Sequence, residues 1–360
     1  MCQRQKIVFI FIWFLLSGSL VYSESLINRL RVPITIKGKM GIGYDNNILR
    51  FSEKEIQDNN VKAEGISLTL DSPILKPGIK FIYSPTFLNG KTTNIVTSIS
   101  YSHYVQEVNK SYLISNLSLE IKLRSYSWIK VGIRDIPKYY LRNYHDRDLS
   151  NTDYYVCTFS SQKYFTSYSL PIKRLRSTWM KIYSEYTKEY YNPHFTEYDL
   201  KKYMIQIILN HKSRQKHSFK ISIARGFADN ITYESTLSST SFDRSYVFDK
   251  IQAVFVYKDR KHDNINKIGI SNYIEQRYYN LSSDNYSINN WKVYLDGKTN
   301  VWINWDILDN IDIRTWYQYR WRKADSQIYS ESEWVKDIKS YSKHEFWIEF
   351  SYKFASNILY

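Results

Sequence analysis

The chain predicts an all-β fold, a transmembrane antiparallel up-and-down β-barrel of about fourteen strands. Three observations carry that prediction. Apolar residues recur at every second position through most of the 360 residues, as in strands with one apolar and one wet face. The chain holds 34 Tyr, 17 Phe and 10 Trp against 7 Pro, and Tyr and Trp gather in girdles where a barrel meets the two membrane interfaces. An AT-rich genome also favours Tyr, Ile, Asn and Lys, but codon bias cannot create a period of two. The segments between candidate strands tend to alternate short and long, as in a barrel with turns at one end and loops at the other.

Met1–Ser23 reads as a secretory signal peptide. Arg4 and Lys6 form the charged start, Ile7–Leu16 is an unbroken apolar run, and Val21-Tyr22-Ser23 offers a cleavage site. The alternative, a retained anchor, needs ~20 apolar residues, and no later stretch approaches ~18. The mature chain is expected from Glu24, with residues 24–360 forming one barrel and no separate N-terminal plug. Cys2 precedes the apolar run, so it is not a lipid-attachment site. Cys157 is then the sole mature cysteine, which excludes an intramolecular disulfide and a cysteine metal cluster. Net charge is +15, falling to about +13 once Arg4 and Lys6 are removed. Export, with no zinc-finger spacing and no clustered basic arm, argues against a nucleic-acid partner.

The first strand spans 33–45, with Ile34, Ile36, Met40, Ile42 and Tyr44 in one phase and Thr35, Lys37, Lys39 and Gly41 in the other. Its end, Gly43-Tyr44-Asp45-Asn46-Asn47-Ile48, resembles the Gly-Tyr-Asp-x-Asn opening segment of several families of exported barrel proteins. The same residues also read as a strand ending in an Asp-Asn-Asn turn. A polar outer loop, Phe51–Glu64, follows. Strands 76–85 and 93–105 flank the Asn89-Gly90 turn signal. The clearest hairpin pairs 112–123, where Leu113, Leu117, Leu119, Ile121 and Leu123 oppose Asn116, Ser118, Glu120, Lys122 and Arg124, with 127–136 across Ser125–Ser127.

The pattern repeats at 153–163, 177–190, 200–210, 217–227, 246–258, 264–279, 287–307, 310–323 and 340–360. Asp296-Gly297 would ordinarily be a two-residue hairpin turn, but such a turn reverses the odd–even phase. The phase does not reverse, so Trp291–Ile307 reads as one long strand. Ile66–Gly78 and Phe165–Leu175 are ambiguous, which leaves twelve or sixteen strands open. Pro137–Thr152, Ala228–Ser245 and Asp325–Lys339 are the remaining outer loops.

The last strand alternates Phe346, Ile348, Phe350, Tyr352, Phe354, Ile358 and Tyr360 against Glu345, Glu349, Ser351 and Lys353, with Trp347 on the wet side. Such an amphipathic strand ending on an aromatic resembles the closing strand of bacterial outer-membrane β-barrels. The resemblance implies a cell-outer-membrane location in a Gram-negative bacterium. It also implies membrane lipid and the barrel-assembly machinery as partners, with Phe350, Tyr352, Phe354, Ile358 and Tyr360 as the assembly signal.

Charge differs between the two ends. The short turns are basic, with Lys173, Arg174 and Arg176, then Lys212, Arg214 and Lys216, then Lys258, Arg260 and Lys261; the long loops carry more acid. Charged turns stay solvated, and an acidic rim could also bridge divalent cations to anionic lipid. On the inward phase stand Lys122, Arg124, Lys130, Arg134, Lys220, Arg314, Arg320 and Arg322 against Glu120 and Asp312. A water-filled, anion-favouring channel needs such cations, and a barrel near fourteen strands is wider than one that side chains fill. The expected function is therefore a porin-like passive channel for small solutes or ions with an anion-leaning lumen. One alternative is a closed structural barrel acting through its loops. The other is a rim enzyme using His145 with Asp146 or Asp148, for which no nucleophile segment is visible. No cofactor or metal is expected, and nothing in the sequence fixes an oligomeric state.

Overall fold

The computed structural model describes residues 32, 34–57, 69–87, 91–145, 154–213, 217–232, 244–258, 265–279, 292–308, 310–326, 336 and 339–356. Its strands are β1 (Ile34–Asp45), β2 (Ser72–Tyr83), β3 (Thr86–Phe87), β4 (Lys91–Tyr104), β5 (Tyr112–Arg124), β6 (Ser127–His145), β7 (Tyr154–Pro171) and β8 (Thr178–Tyr191). They continue as β9 (Leu200–Lys212), β10 (His217–Asn230), β11 (Tyr246–Lys258), β12 (Ile265–Tyr279), β13 (Lys292–Leu308), β14 (Ile311–Ser326) and β15 (Tyr341–Ser356). The two-residue β3 pairs only with β4. The other fourteen form an antiparallel up-and-down wall, closed where β1 pairs with β15 from Ile34↔Ser356 to Asp45↔Glu345. Every expected strand has its counterpart, and the wall is one barrel.

Burial is inverted relative to a water-soluble protein. Ile205 and Ile223 on the outer face are each 62% exposed, whereas Asp296 and Lys343 on the inner face are 3% and 5% exposed. A belt that also includes Met40, Ile42, Phe255, Ile348 and Phe350 is exposed around the outside. In water such a surface would be an aggregation hazard; in a bilayer it is the solvated face, which is why alternation is so regular.

Asp296-Gly297 lies inside β13, as the unreversed phase predicts. Asp296 points inward to Arg322, and Gly297 points outward beneath the Trp321 ring, which a Cβ would strike. Of the ambiguous stretches, β2 begins at Ser72 and β7 runs on to Pro171. The Ser125–Ser127 turn is tight, with Tyr126 at φ 56°. The signal peptide and the Asn89-Gly90 turn lie outside the described residues, as do Ile358 and Tyr360.

Two expected loops are corrected. Pro137 does not end its strand: β6 continues to His145, and two register jumps against β7, at Ile136/Tyr139 and Tyr140/Arg142, each insert one extra residue. These β-bulges remove the need for a ladder hydrogen bond at Pro137. The first outer loop also departs from expectation. Residues 46–57 turn into the barrel mouth and bury Ile48, Leu49 and Phe51 against Ile74 of β2, Tyr104 of β4, Tyr140 of β6 and Trp347 of β15.

Several contacts hold that segment. Asp45 Oδ1 accepts the Asn47 N–H at 3.1 Å, and Asn47 in turn accepts from Phe51 N (2.8 Å) and donates to Phe51 O (2.8 Å) and Ser342 O (3.0 Å). The short helix α1 (Glu53–Gln57) is started by a reciprocal cap, in which Ser52 Oγ accepts from Glu55 N and Glu55 accepts from Ser52 N. Glu55 reaches Arg142 of β6 at 3.0 Å, and the Arg142 guanidinium lies 5.1 Å over the Phe51 ring. The segment thus bridges the inside of the wall from β15 to β6.

Candidate functional site: the charged lumen

The inner face of the wall follows from strand phase. Each lumenal residue faces its register partner on the next strand, so rows of side chains run around the inside. Because connections differ in length, the barrel has a turn end, where Ile34 meets Ser356, and a loop end, where Asp45 meets Glu345.

In the loop half most inward carboxylates are matched by a cation, while Lys76, Lys298 and Arg320 have no carboxylate within 4.0 Å among the described residues. Lys343 Nζ lies 2.7 Å from Asp45 and 2.6 Å from Glu345. Arg322 grips Asp296 with two parallel hydrogen bonds of 2.9 and 3.0 Å, the fork geometry that favours arginine. Arg277 bonds Glu275 at 2.5 Å and lies 3.5 Å from Asp296, while Lys250 reaches Glu275 at 3.1 Å. Lys202–Glu189 (2.6 Å) and Lys163–Glu185 (2.7 Å) extend the matching around the wall. Aromatic rings fill the spaces between, with Arg322 over Tyr294 and Tyr341 at 5.1 and 5.5 Å.

A buried lysine braces the bulged strand from behind. Lys110, in the 3₁₀ turn Val108–Lys110, donates to Tyr140 O (2.7 Å) and Leu141 O (3.0 Å), the carbonyls beside the second bulge. Burial pushes its pKa down to about 8, partly offset by Tyr139. Asp199, just before β9, accepts the Tyr191 N–H at 2.6 Å. Burial raises its carboxyl to about 6, although that hydrogen bond acts the other way.

The turn half is different. Lys39–Glu349 (2.7 Å) and Lys130–Glu120 (3.4 Å) are paired. Lys353, Lys37 and Lys80 instead stand side by side in one register row, and none has a carboxylate within 4.0 Å among the described residues. Like charges directly opposite one another repel. Lys220 also has no carboxylate partner among the described residues, and Arg314 is braced by the rings of Trp302 (5.2 Å) and Trp316 (5.6 Å) instead. Those indoles continue a row in which Trp316 stacks on Trp347 at 5.3 Å and 6°. The wet-side placement of Trp347 is thereby explained: it lies over Gly43, where a Cβ would collide with it, and carries the packing of the inward segment.

Seven of the eight lumenal cations singled out from the sequence lie on the phase opposite the exposed apolar belt, and they form no single ring; Arg124 lies past the register jump that follows Lys122, opposite Ser127. Lys122, Arg124, Lys130, Lys220 and Arg314 stand in the turn half, Arg134 at mid-height, and Arg320 and Arg322 in the loop half. Lys130 and Arg322 are ion-paired. Sequence reasoning passed over Lys80, Lys163, Lys202, Lys250 and Lys343, which the same odd–even count could have found. It had no signal for Lys110 or Arg142, which depend on a turn and a bulge. Phe350, Tyr352 and Phe354 face outward on β15. For the rim trio, β6 ends at His145, and Asp146 and Asp148 lie outside the described residues. Among the described residues no three His, Cys, Asp or Glu side chains group as metal ligands.

An apolar outer belt, a closed wall and a charged inside make this a transmembrane β-barrel of the outer-membrane type. No family model matches the chain, and no curated protein matches it. Among solved structures it is similar to a loop L8 deletion mutant of OmpT, an outer membrane protein of Vibrio cholerae, at 7% identity over 89% of this chain and 99% of that one, with a TM-score of 0.44. OccAB4 of Acinetobacter baumannii aligns at 8% identity over 91% and 100%, TM-score 0.42. An anion-selective porin from Comamonas acidovorans aligns at 5% identity over 89% and 99%, TM-score 0.43. Likeness this distant assigns no solute.

Proposed function

We propose that the protein is a passive outer-membrane channel for small solutes that favours anions. The observation that carries this reading is the set of lumenal cations in the turn half with no carboxylate beside them among the described residues, above all Lys37, Lys80, Lys353 and Lys220. Ammonium groups at membrane depth are tolerable only where water reaches them or an anion neutralises them. A wet, cation-lined conduit passes anions more readily than cations. The short turns then face the periplasm and the long loops the outside. The same reading makes membrane lipid and the barrel-assembly machinery its partners, the latter through the outward aromatics of β15.

The test is single-channel recording of the refolded full chain in a planar bilayer with a salt gradient. A stable conductance whose reversal potential lies on the anion side supports the proposal. A folded barrel that inserts but stays silent would sink it in favour of a closed structural barrel.

A further inference from the structure

A cavity of 260 Å³ lies inside the lumen against the wall from β6 to β12. It is on the side that the inward segment leaves open, since residues 46–57 lean on β15, β2, β4 and β6. Each carboxylate in its lining is engaged: Glu185 by Lys163, Glu189 by Lys202, and Glu275 by Lys250 and Arg277.

Arg134 is the exception. It lines the same cavity, has no ion pair among the described residues, and its Nε is buried with no hydrogen-bond partner. A guanidinium offers five donors in a planar fork suited to an acid group, and leaving one buried and unmet is costly. Beside it the lining turns apolar, with Phe159, Met204 and Phe248. The Phe248 ring lies flat over Gly226, where a Cβ would collide with both the ring and a backbone carbonyl.

We propose that this cavity is a binding site for a small organic anion, its acid group on Arg134 and its apolar body against Phe248 and Met204. The volume is just below the ~300 Å³ at which ordinary ligand pockets begin, which limits the guest to a small molecule. Five lining cations stand against three carboxylates, and Arg134 is the one with no carboxylate beside it among the described residues, so the site selects an anion. The site deepens the channel reading and rests on it as the solute preference of the conduit.

Isothermal titration of the detergent-folded full chain with phenylacetate, phenethylamine and acetate tests the site without needing conductance. Phenylacetate should bind at least about tenfold more tightly than phenethylamine, which carries the opposite charge, or acetate, which lacks the ring. Arg134→Gln should weaken phenylacetate at least about tenfold, and Lys173→Gln, at an exposed turn, should leave it unchanged. Met204→Glu, which sets a carboxylate beside the proposed body, gives a second readout should Arg134→Gln fold poorly. Equal affinity for the amine and the acid, no binding, or phenylacetate binding indifferent to both lumenal variants would overturn the assignment. Conductance without binding would remove this site and leave the channel; binding without conductance would do the reverse.

Discussion

The two halves of the lumen are made from the same alternating strands, yet they use charge differently. Toward the loops the buried carboxylates of Asp45, Glu275 and Asp296 are gripped at 2.5–3.1 Å by lysine or arginine, as in Lys343–Asp45 and Arg322–Asp296. Toward the turns, Lys353, Lys37 and Lys80 crowd one row with no such partner among the described residues. Matched charge locks a wall into one shape, whereas unmatched charge is kept only where water or a passing anion can answer it. The loop half therefore reads as the rigid, narrowed part, and the turn half as the part that sets ionic preference.

The largest expected effect comes from unmatching the loop half. Arg322→Ala leaves Asp296 buried with only the more distant Arg277, and should cost about 3 kcal/mol in urea unfolding of the lipid-folded barrel. Arg322→Leu together with Asp296→Leu should recover most of that loss, because the apolar pair carries no desolvation cost. Lys220→Ala in the turn half should stay within about 0.5 kcal/mol. Comparable losses at Arg322 and Lys220 would erase the distinction between the halves.

Next is the inward segment. Phe51→Ala removes packing worth about 3 kcal/mol, so residues 46–57 should leave the mouth and single-channel conductance should rise. Unchanged conductance would show that the segment does not narrow the path.

A pH effect follows at Lys110, whose folded pKa lies near 8, below the ordinary value of 10.5. The folded state gives up this proton first, so its contribution is complete above 10.5 and is lost as pH falls through about 8. Stability relative to Lys110→Met should rise between those values, by at most about 3 kcal/mol. A flat difference across that window would show that the buried ammonium is not strained.

The smallest effect is expected at Asp199, shifted the other way, from 3.8 to about 6. Its contribution is complete below 3.8 and is lost as pH rises through about 6. Asp199→Asn should flatten the change in thermal midpoint over that range.

The wall was legible because lipid enforces a period of two more strictly than a soluble core would. That strictness even overruled a strong turn signal at Asp296-Gly297. Where the period resets, legibility stopped. The bulges after Ile136 shift the inward phase from even to odd and back, so Tyr139 and Arg142 could not be placed by counting, and Pro137 looked like an end. The inward segment was read as an outer loop because Glu53, Lys54 and Glu55 outweighed Ile48, Leu49 and Phe51. The Ser52–Glu55 cap was present but unused. At the candidate site, phase told which cations face in; only geometry told which are already spent on carboxylates.

The most direct measurement is the reversal potential of the refolded channel in a salt gradient for three proteins: wild type, Lys37→Glu with Lys220→Glu in the turn half, and Lys202→Gln with Glu189→Gln in the loop half. The expected result is anion preference in the wild type, reduced or reversed by the turn-half pair and preserved by the neutralised loop-half pair. Cation preference in the wild type, or selectivity that follows the loop-half pair alone, would contradict this division of the lumen.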